Sequence, residues 1–171
     1  IERYETIPDS GGAGLHRGGN GLSVVYCFLC DGEIGIHDER WLMYPWGVLG
    51  GETGLRSTKR LVRADGSQEW LPAKVEGIKV KEGDLLYFNT WGGGGWGDPF
   101  ERNPELVALE VQRGLLTLDD ARTYFGVVPG SLEETARTRL DLRRQRLARA
   151  KPAVAPLTWT SELRRLAEGT T

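Results

Sequence analysis

The chain has 171 residues, with 22 lysines and arginines against 24 aspartates and glutamates, and its formal net charge is −2. This length predicts one domain with an appendage and allows a substantial hydrophobic core. A charge so close to zero excludes a general attraction to nucleic acid or to a membrane surface. The sequence also has no apolar run near the ~18 residues that a membrane-spanning helix needs.

The cysteine content indicates the cellular compartment, and the first residue indicates whether the chain is a whole protein or a segment. Two cysteines are too few for a disulfide framework, so we expect a cytoplasmic protein. The chain begins at Ile1 rather than at a methionine. From this start we expect a segment of a longer protein or a processed subunit.

Residues 9–21 form a glycine-dense loop that contains Gly12-x-Gly14. The dinucleotide-binding motif needs a preceding strand and a long following helix, and this stretch has neither. His16 and Arg17 beside glycines could bind an anion through backbone amides and a guanidinium. The alternative, which we favour for this segment alone, is a tightly packed loop that leads into a strand.

Residues 22–30 predict a strand, and Asp31-Gly32 predicts a hairpin turn into a return strand over 33–40. Within this hairpin, Cys27 and Cys30 have the spacing of half a zinc site, and His37 is the nearest nitrogen ligand. Residues i and i+3 of a strand point to opposite faces, and the sequence has no second cysteine pair. We therefore expect two small buried thiols rather than a metal site.

Residues 41–55 lack periodicity and predict a long packed loop, whose aromatic residues favour a core or a subunit interface over a ligand pocket. A second hairpin is predicted from strands 59–64 and 67–71. Short strands at 78–80 and 85–89 then lead into a second glycine-rich loop. Repeated strand and turn signals up to residue 90 predict a mainly antiparallel β domain.

The stretch 90–99 reads Thr-Trp-Gly-Gly-Gly-Gly-Trp-Gly-Asp-Pro. Its tryptophans and closing proline argue against a flexible spacer, and its glycines allow close backbone approach. Their amides could stabilise an oxyanion or let a neighbouring backbone pack closely. Asp98 and Arg17 are the candidate catalytic residues, with capping of the loop as the alternative role of Asp98. The expected binding or interface loops comprise Asp9, Gly11, Gly12, Arg17, Gly18, Gly19, Gly92, Gly93, Gly94, Gly95 and Asp98.

After residue 99 the pattern becomes helical. Asn103 and Pro104 begin one helix that Gly114 ends, and a second helix runs from about residue 117 to Gly126. A capping box opens a third, basic helix over about 131–150, for which we expect a solvated face or an acidic partner. A stiff linker at 152–156 and a short helix at 161–167 complete the prediction.

The sequence thus predicts a mainly β fold with a helical C-terminal part, in the α+β class. Residues 1–99 are expected to form an antiparallel β domain with glycine-rich loops. Residues 100–130 are expected to form short helices packed on it, and residues 131–171 a helical extension that contacts another subunit.

The order of these motifs resembles the C-terminal part of hydantoinase B-type proteins over about residues 3–128. This resemblance is specific because the motifs occur in the family's order, whereas a single glycine-rich piece would not be specific. The usual loop of that family has Pro after Thr and Tyr before Gly-Asp-Pro, whereas this chain has Trp91 and Trp96. The matching pieces are Arg3-Tyr4-Glu5, Asp9-Ser10-Gly11-Gly12-Ala13-Gly14, Arg17-Gly18-Gly19-x-Gly21, Asp38-x-Arg40, Gly47-x-x-Gly50-Gly51-x-x-Gly54, Gly83-Asp84, the stretch 90–99, Arg102-x-Pro104, Gly114 and Tyr124-Phe125-Gly126-Val127-Val128.

The family so resembled includes 5-oxoprolinases, N-methylhydantoinases, caprolactamase-type lactamases, and ATP-dependent acetone and acetophenone carboxylases. The resemblance implies a hydantoinase A-type partner that binds ATP and phosphorylates an enol or amide oxygen. A B-type component then carboxylates or hydrolyses the activated species, with metal-ligand residues upstream of the part seen here.

For this chain the resemblance implies a small (γ-type) subunit, or a segment, of an acetophenone carboxylase-like hetero-oligomer with larger A-type and B-type subunits. It implies no cofactor bound by this chain alone, and ATP, bicarbonate and a divalent metal in the larger complex. Hydrolysis of a cyclic amide stays open as the reaction. Two other classes also stay open: a stand-alone β-rich module that binds a small molecule or sugar through Trp41, Trp46, Trp91 and Trp96, and a zinc-stabilised adaptor.

Overall fold

A computed structural model describes residues 1–150 of the chain. Its main elements confirm the predicted antiparallel β fold with a helical C-terminal part. The strands are β1 (Arg3–Thr6), β2 (Leu22–Cys27), β3 (Gly32–His37), β4 (Thr58–Val62), β5 (Gln68–Trp70), β6 (Lys74–Val80) and β7 (Leu85–Asn89). The helices are α1 (Pro104–Gln112), α2 (Leu118–Phe125) and α3 (Leu132–Arg149), and a 3-10 turn (Pro99–Glu101) precedes α1.

The larger sheet has five antiparallel strands in the order β1-β2-β7-β4-β5. Its centre is the pairing of β7 with β2 on one side and β4 on the other, so that Phe88 lies opposite both Val24 and Lys59. The β4–β5 pair confirms the second predicted hairpin. Strand β1 was not predicted, because its four residues are all exposed and show no apolar alternation.

The smaller sheet pairs β3 with β6, and this pairing shows that the predicted hairpin of residues 22–30 with 33–40 is wrong. The chain leaves the larger sheet after β2. Phe28 donates its amide to the Asp84 carbonyl at 3.0 Å and accepts from Gly83 at 2.8 Å. The Asp31 carboxylate accepts from the Glu82 amide at 3.2 Å. These bonds tie the chain to the β6–β7 turn and direct it into the second sheet.

A hydrophobic core lies between strands of the two sheets. It is formed by Ile36, Leu61, Leu71, Val80 and Leu86, with Phe28, Ile34, Val75, Ile78 and Phe88 packed against it. Full burial of one such aliphatic side chain contributes about 1.5–3 kcal/mol. This core therefore supplies much of the stability of the β-rich part.

The helices begin and end where the sequence predicts. The Asn103 side chain accepts from the Glu105 amide and caps α1, and Thr117 caps α2 in the same way. Gly126 ends α2 with a φ of 61°, a left-handed conformation that favours glycine. A second core joins these helices to the first glycine-dense loop, and its members are Ala13, Val107, Leu116, Ala121, Phe125 and Val127.

The contacts divide the chain into Ile1–Leu140 and Asp141–Thr171. In the first unit, the Arg139 guanidinium donates to the carbonyls of Phe125 at 3.0 Å and Arg102 at 2.7 Å. In the second, Arg144 and Asp141 form an exposed ion pair. The predicted linker at 152–156 and helix at 161–167 lie outside the described residues, and the predicted divisions at residues 99 and 130 stay predictions. No helix within residues 1–150 has both the length and the apolar character needed to cross a membrane.

Candidate functional site

The two glycine-dense loops meet and bond to each other through their backbones. Gly12 donates its amide to the Gly93 carbonyl at 2.8 Å, and Gly93 donates to Gly19 at 2.8 Å. Gly95 donates to the Glu52 carbonyl at 2.9 Å, which brings the long 41–55 loop into the same assembly. We call this assembly the glycine bundle and define it as residues 10–14, 17–21, 45–55 and 91–97.

Glycine is required in the bundle because backbones approach too closely for a side chain. A Cβ atom at Gly92 would lie 1.8 Å from the Ser10 carbonyl oxygen. At Gly95 it would lie 1.9 Å from the Ala13 oxygen. In each case the obstacle is a main-chain atom held by its neighbours, so it cannot move aside as a flexible side chain would. The close-approach alternative for the 90–99 loop therefore has a direct structural basis.

The amides of the bundle are largely used inside it. Gly92 donates to the Leu55 carbonyl at 3.1 Å, Gly93 to Gly19 and Gly95 to Glu52. An oxyanion hole requires donors aimed at the reacting oxygen. These three amides already have carbonyl partners, so they do not form such a hole in this structure.

Asp9 and Asp98, both named from the sequence, bind backbone amides. Asp9 has a φ of 61°, and its Oδ1 accepts from the Thr117 amide at 2.7 Å. It thereby joins the first glycine loop to the start of α2. Asp98 Oδ1 accepts from the Phe100 amide at 2.9 Å and caps the 3-10 turn, as the capping alternative predicts.

Arg17, the other catalytic candidate, belongs to the bundle and contacts the helical part at Leu115. Its Nη2 donates to the Leu115 carbonyl at 3.0 Å and to the Asn20 side chain. Burial lowers the pKa of Arg17, and the Glu110 carboxylate opposes that shift. Beside it, Arg102 pairs with Glu110 at 2.8 Å and donates to the Leu15 carbonyl at 2.8 Å. The arginines thus hold loop carbonyls against α1.

A cleft of about 400 Å³ opens beside the bundle and contains two neighbouring carboxyl groups, Asp9 and Asp120. Burial raises the pKa of Asp120, and the charge of Asp9 raises it further. A side-chain hydrogen bond between Asp9 and Asp120 acts in the same direction on this pKa. Sequence analysis missed Asp120, because it reads only as an acidic residue in the first turn of α2. The other lining residues are Gly11, Gly12, Ala13, Tyr44, Glu52, Thr53, Leu55, Leu116, Tyr124 and Phe125.

The structure does not gather the residues of the zinc hypothesis into a ligand set. Cys27 is half-buried and Cys30 is exposed, so the expectation of two buried thiols is wrong for Cys30. That residue lies in the connection that leaves the larger sheet. His37 pairs with Glu76 on an exposed surface at the far end of β3. Within residues 1–150, no three His, Cys, Asp or Glu side chains form a group able to hold a metal ion.

A buried ion pair that the sequence did not predict anchors the start of the 41–55 loop. Lys59 and Asp38 pair with both side chains almost fully buried, and Lys59 Nζ also donates to Ser57 Oγ at 2.9 Å. Burial lowers the pKa of Lys59 to about 8, and the Asp38 carboxylate opposes this shift by favouring the charged amine. Ser57 in turn donates to the carbonyls of Glu39 and Arg40.

The loop itself is packed along its backbone but exposes most of its large apolar side chains. Val48 donates to the Gly95 carbonyl at 2.9 Å and accepts from the Gly97 amide, which ties the loop to the bundle. We call the exposed side chains the apolar face. They are Trp41, Leu42, Met43, Tyr44, Trp46, Val48, Leu49, Leu55, Trp91 and Trp96.

Comparison with known proteins defines the class of this chain. The sequence profile of the Hydantoinase B/oxoprolinase family matches residues 1–99. The chain belongs to this family, which confirms the resemblance seen in the motif order. The caprolactamase β subunit of Pseudomonas jessenii is 33% identical over 145 residues, covering 80% of this chain and 25% of that subunit.

Two solved structures share the fold. The ATP-dependent caprolactamase from Pseudomonas jessenii has a TM-score of 0.68 and 28% identity, covering 82% of this chain and 26% of that chain. Nucleotide-free acetone carboxylase has a TM-score of 0.72 and 20% identity, covering 87% of this chain and 25% of that chain. The chain therefore spans about a quarter of the length of these proteins.

Proposed function

We propose that this chain is a non-autonomous part of a multi-subunit ATP-dependent carboxylase that acts on a ketone such as acetophenone or acetone. In this proposal a hydantoinase A-type partner makes a phosphorylated enol, and a larger B-type subunit completes the carboxylating site. This chain supplies the glycine bundle and the loops around it. ATP, bicarbonate and a divalent metal are used by the larger complex rather than bound by this chain alone.

The observation that carries the proposal is the coverage of the family match. The chain belongs to the Hydantoinase B/oxoprolinase family but corresponds to about a quarter of a caprolactamase β subunit and of an acetone carboxylase chain. The proposal therefore assigns most of the active site to other polypeptide. We also propose that the complex is cytoplasmic, because two cysteines are too few for the disulfide framework typical of secreted proteins.

ATP-dependent hydrolysis of a cyclic amide is the second candidate reaction, and a specific observation favours it. In the comparison of structures, the caprolactamase is 28% identical to this chain and the acetone carboxylase chain is 20% identical. The two candidates share the partner architecture. They differ in whether carbon dioxide or water reacts with the phosphorylated intermediate.

The test begins with purification of the chain from its host together with the subunits that bind it. The complex is then supplied with ATP, and acetophenone plus bicarbonate is compared with caprolactam and 5-oxoproline. We expect ATP-dependent incorporation of labelled bicarbonate that disappears when this chain is omitted. Ring opening without carboxylation would select the hydrolase. A chain that purifies alone and turns over either substrate alone would contradict both.

The stand-alone binding module makes a different prediction. Four tryptophans of the chain, at positions 41, 46, 91 and 96, are partly exposed and would report a bound ligand. Titration of the isolated chain with the same ketones, lactams and common sugars is expected to leave tryptophan emission unchanged. A saturable change at micromolar ligand would favour the module instead.

A further inference from the structure

The apolar face concentrates ten large apolar side chains on one loop and on the adjoining glycine stretch. Leu42 and Leu49 are 72% and 71% exposed, and the tryptophans among the ten are 38–58% exposed. Large exposed apolar patches are rare on monomers and mark places where another molecule binds. The residues lie in two segments that the bundle holds side by side, because Gly92 donates to Leu55 and Val48 pairs with Trp96.

The face is held in position rather than loosely attached. The Arg40 guanidinium lies 4.4 Å from the ring centre of Trp46, and that of Arg56 lies 4.7 Å from the ring of Tyr44. Arg56 also donates to the Leu42 carbonyl at 3.4 Å. Aromatic residues and arginines dominate the binding energy of protein interfaces, especially when their positions are fixed before binding.

A groove at one end of the face provides a receptor for an inserted side chain. Its volume is about 440 Å³, and its apolar lining residues are Trp41, Leu42, Met43, Pro72 and Ala73. The charged residues Asp38, Glu39, Arg40 and Lys74 line it as well. Specific protein interfaces likewise combine buried apolar contacts with polar and charged groups.

We propose that the apolar face docks the larger part of a hydantoinase B-type polypeptide, the part outside the segment that this chain matches. The inference rests on the proposed function. The caprolactamase β subunit is about four times longer than the segment this chain matches, so a surface that faces the remaining three-quarters must exist on this segment. The face lies within the family-matched residues 1–99, and it is the surface that the glycine bundle positions.

The test compares two variants of the full chain in which exposed leucines are replaced by glutamate, two on the face and one in the control. The face variant is Leu42→Glu with Leu49→Glu. The control is Leu29→Glu, whose side chain is 82% exposed. Leu29 precedes the start of β3, whereas the groove lies beside its end, where His37 pairs with Lys74. Circular dichroism and thermal melting of both variants establish that they fold like the unmodified chain.

The probe is the larger B-type polypeptide that co-purifies with the chain from its host, and its affinity is measured by calorimetry. We expect the face variant to lose at least about tenfold in Kd, as for removal of a central interface residue, and the control to stay within about twofold. Equal affinity of both variants would overturn the docking surface while leaving the proposed function intact. If the unmodified chain binds no B-type polypeptide, both proposals fall. If the face variant instead loses self-association, the occupant is a second copy, and the proposed one is wrong.

Discussion

The glycine bundle and the two-sheet core are both well packed, but they achieve packing by opposite means. In the core, side chains such as Leu61 and Val80 fill the space between strands and are removed from water. In the bundle, main-chain atoms of one segment touch main-chain atoms of the next, as at Gly92 and Ser10. In the core each buried methylene contributes to stability, whereas a methyl group added at Gly92, Gly94 or Gly95 of the bundle would lie 1.8–1.9 Å from a backbone oxygen.

The difference changes what stabilises each region. Apolar burial contributes about 25 cal/mol per Å² of surface in the core. The bundle leaves its large apolar side chains mostly exposed and depends on backbone hydrogen bonds, each contributing about 0.5–1.5 kcal/mol net. Its glycines also have the largest conformational entropy to lose on folding. The bundle therefore depends on the sheets and helices that hold its segments together.

The largest effect is expected for Gly94→Ala. The new Cβ would lie 1.9 Å from the Trp46 carbonyl oxygen, a main-chain atom that cannot move aside as a flexible side chain would. We expect a loss of more than about 4 kcal/mol in the free energy of unfolding, or failure to fold. Gly19→Ala is the matched control, because nothing lies within 4 Å of its added carbon. It should change stability by no more than about 1 kcal/mol. Similar urea midpoints for the two variants would contradict the close-approach explanation.

The core is expected to tolerate truncation better. Leu61 is fully buried between the sheets, and Leu61→Ala should cost about 2–5 kcal/mol of unfolding free energy through lost burial and the cavity left behind. The same change at exposed Leu29 should cost less than about 0.5 kcal/mol. Urea unfolding of both variants measures the contrast. A loss at Leu61 as large as that at Gly94 would erase the proposed difference between the regions.

A third prediction concerns the polar contacts that hold the β6–β7 turn of the sheet region. The backbone bond from Lys81, together with bonds from Ala64 and Arg63, holds the pKa of Asp84 below its ordinary value of 3.8, although desolvation opposes this. The carboxylate therefore contributes stability that is present above 3.8 and lost as pH falls through the lower folded-state value. Asp84→Asn should melt at a lower temperature at neutral pH and show a flatter decline in acid. Thermal melts from about pH 2 to 7 test this, and parallel curves for both proteins would refute it.

The smallest effect is expected where the bundle meets α2. Burial, followed by the charges of Asp9 and Asp119, raises the pKa of Asp120 above 3.8. The folded chain thus holds this proton more tightly than the unfolded chain, and stability falls as pH rises through the raised value. Asp120→Asn should therefore raise the melting temperature slightly at neutral pH and leave it unchanged in acid. Asp119→Asn, on the exposed side of the same turn, should raise it less. A decrease at neutral pH for Asp120→Asn would show that the charge is stabilising.

Local signals explain what the sequence predicted well. Asn103, Thr117 and Gly126 act on the residues next to them, so the limits of α1 and α2 follow from the sequence alone. Strand pairing depends on distant residues. Asp31-Gly32 carries a hairpin signal, yet the bond from Glu82 to Asp31 helps send the chain to another sheet. Strand β1 exists because it pairs with β2 and has no sequence signal of its own.

In the candidate site, too, features that depend on local residues were predicted and features that depend on distant residues were not. The glycines of the 9–21 and 90–99 loops predict close backbone approach, and the structure shows it. No local rule specifies that Gly93 lies between Gly12 and Gly19, or that Asp120 approaches Asp9. These contacts join residues about 75 or more positions apart. They arise only when the sheets and helices bring the loops together.

The backbone bonding of the bundle has a consequence for solvent exchange. Loops rich in glycine usually exchange their amide protons with water quickly, because nothing protects them. Here the amides of Gly12, Gly93 and Gly95 are each bonded to a carbonyl of another segment. None of these amides can be released without separating segments distant in the chain. In deuterium-labelling experiments the amides of Gly93 and Gly95 should therefore exchange on the slow timescale of the central strands β2 and β7, although they lie outside the regular strands.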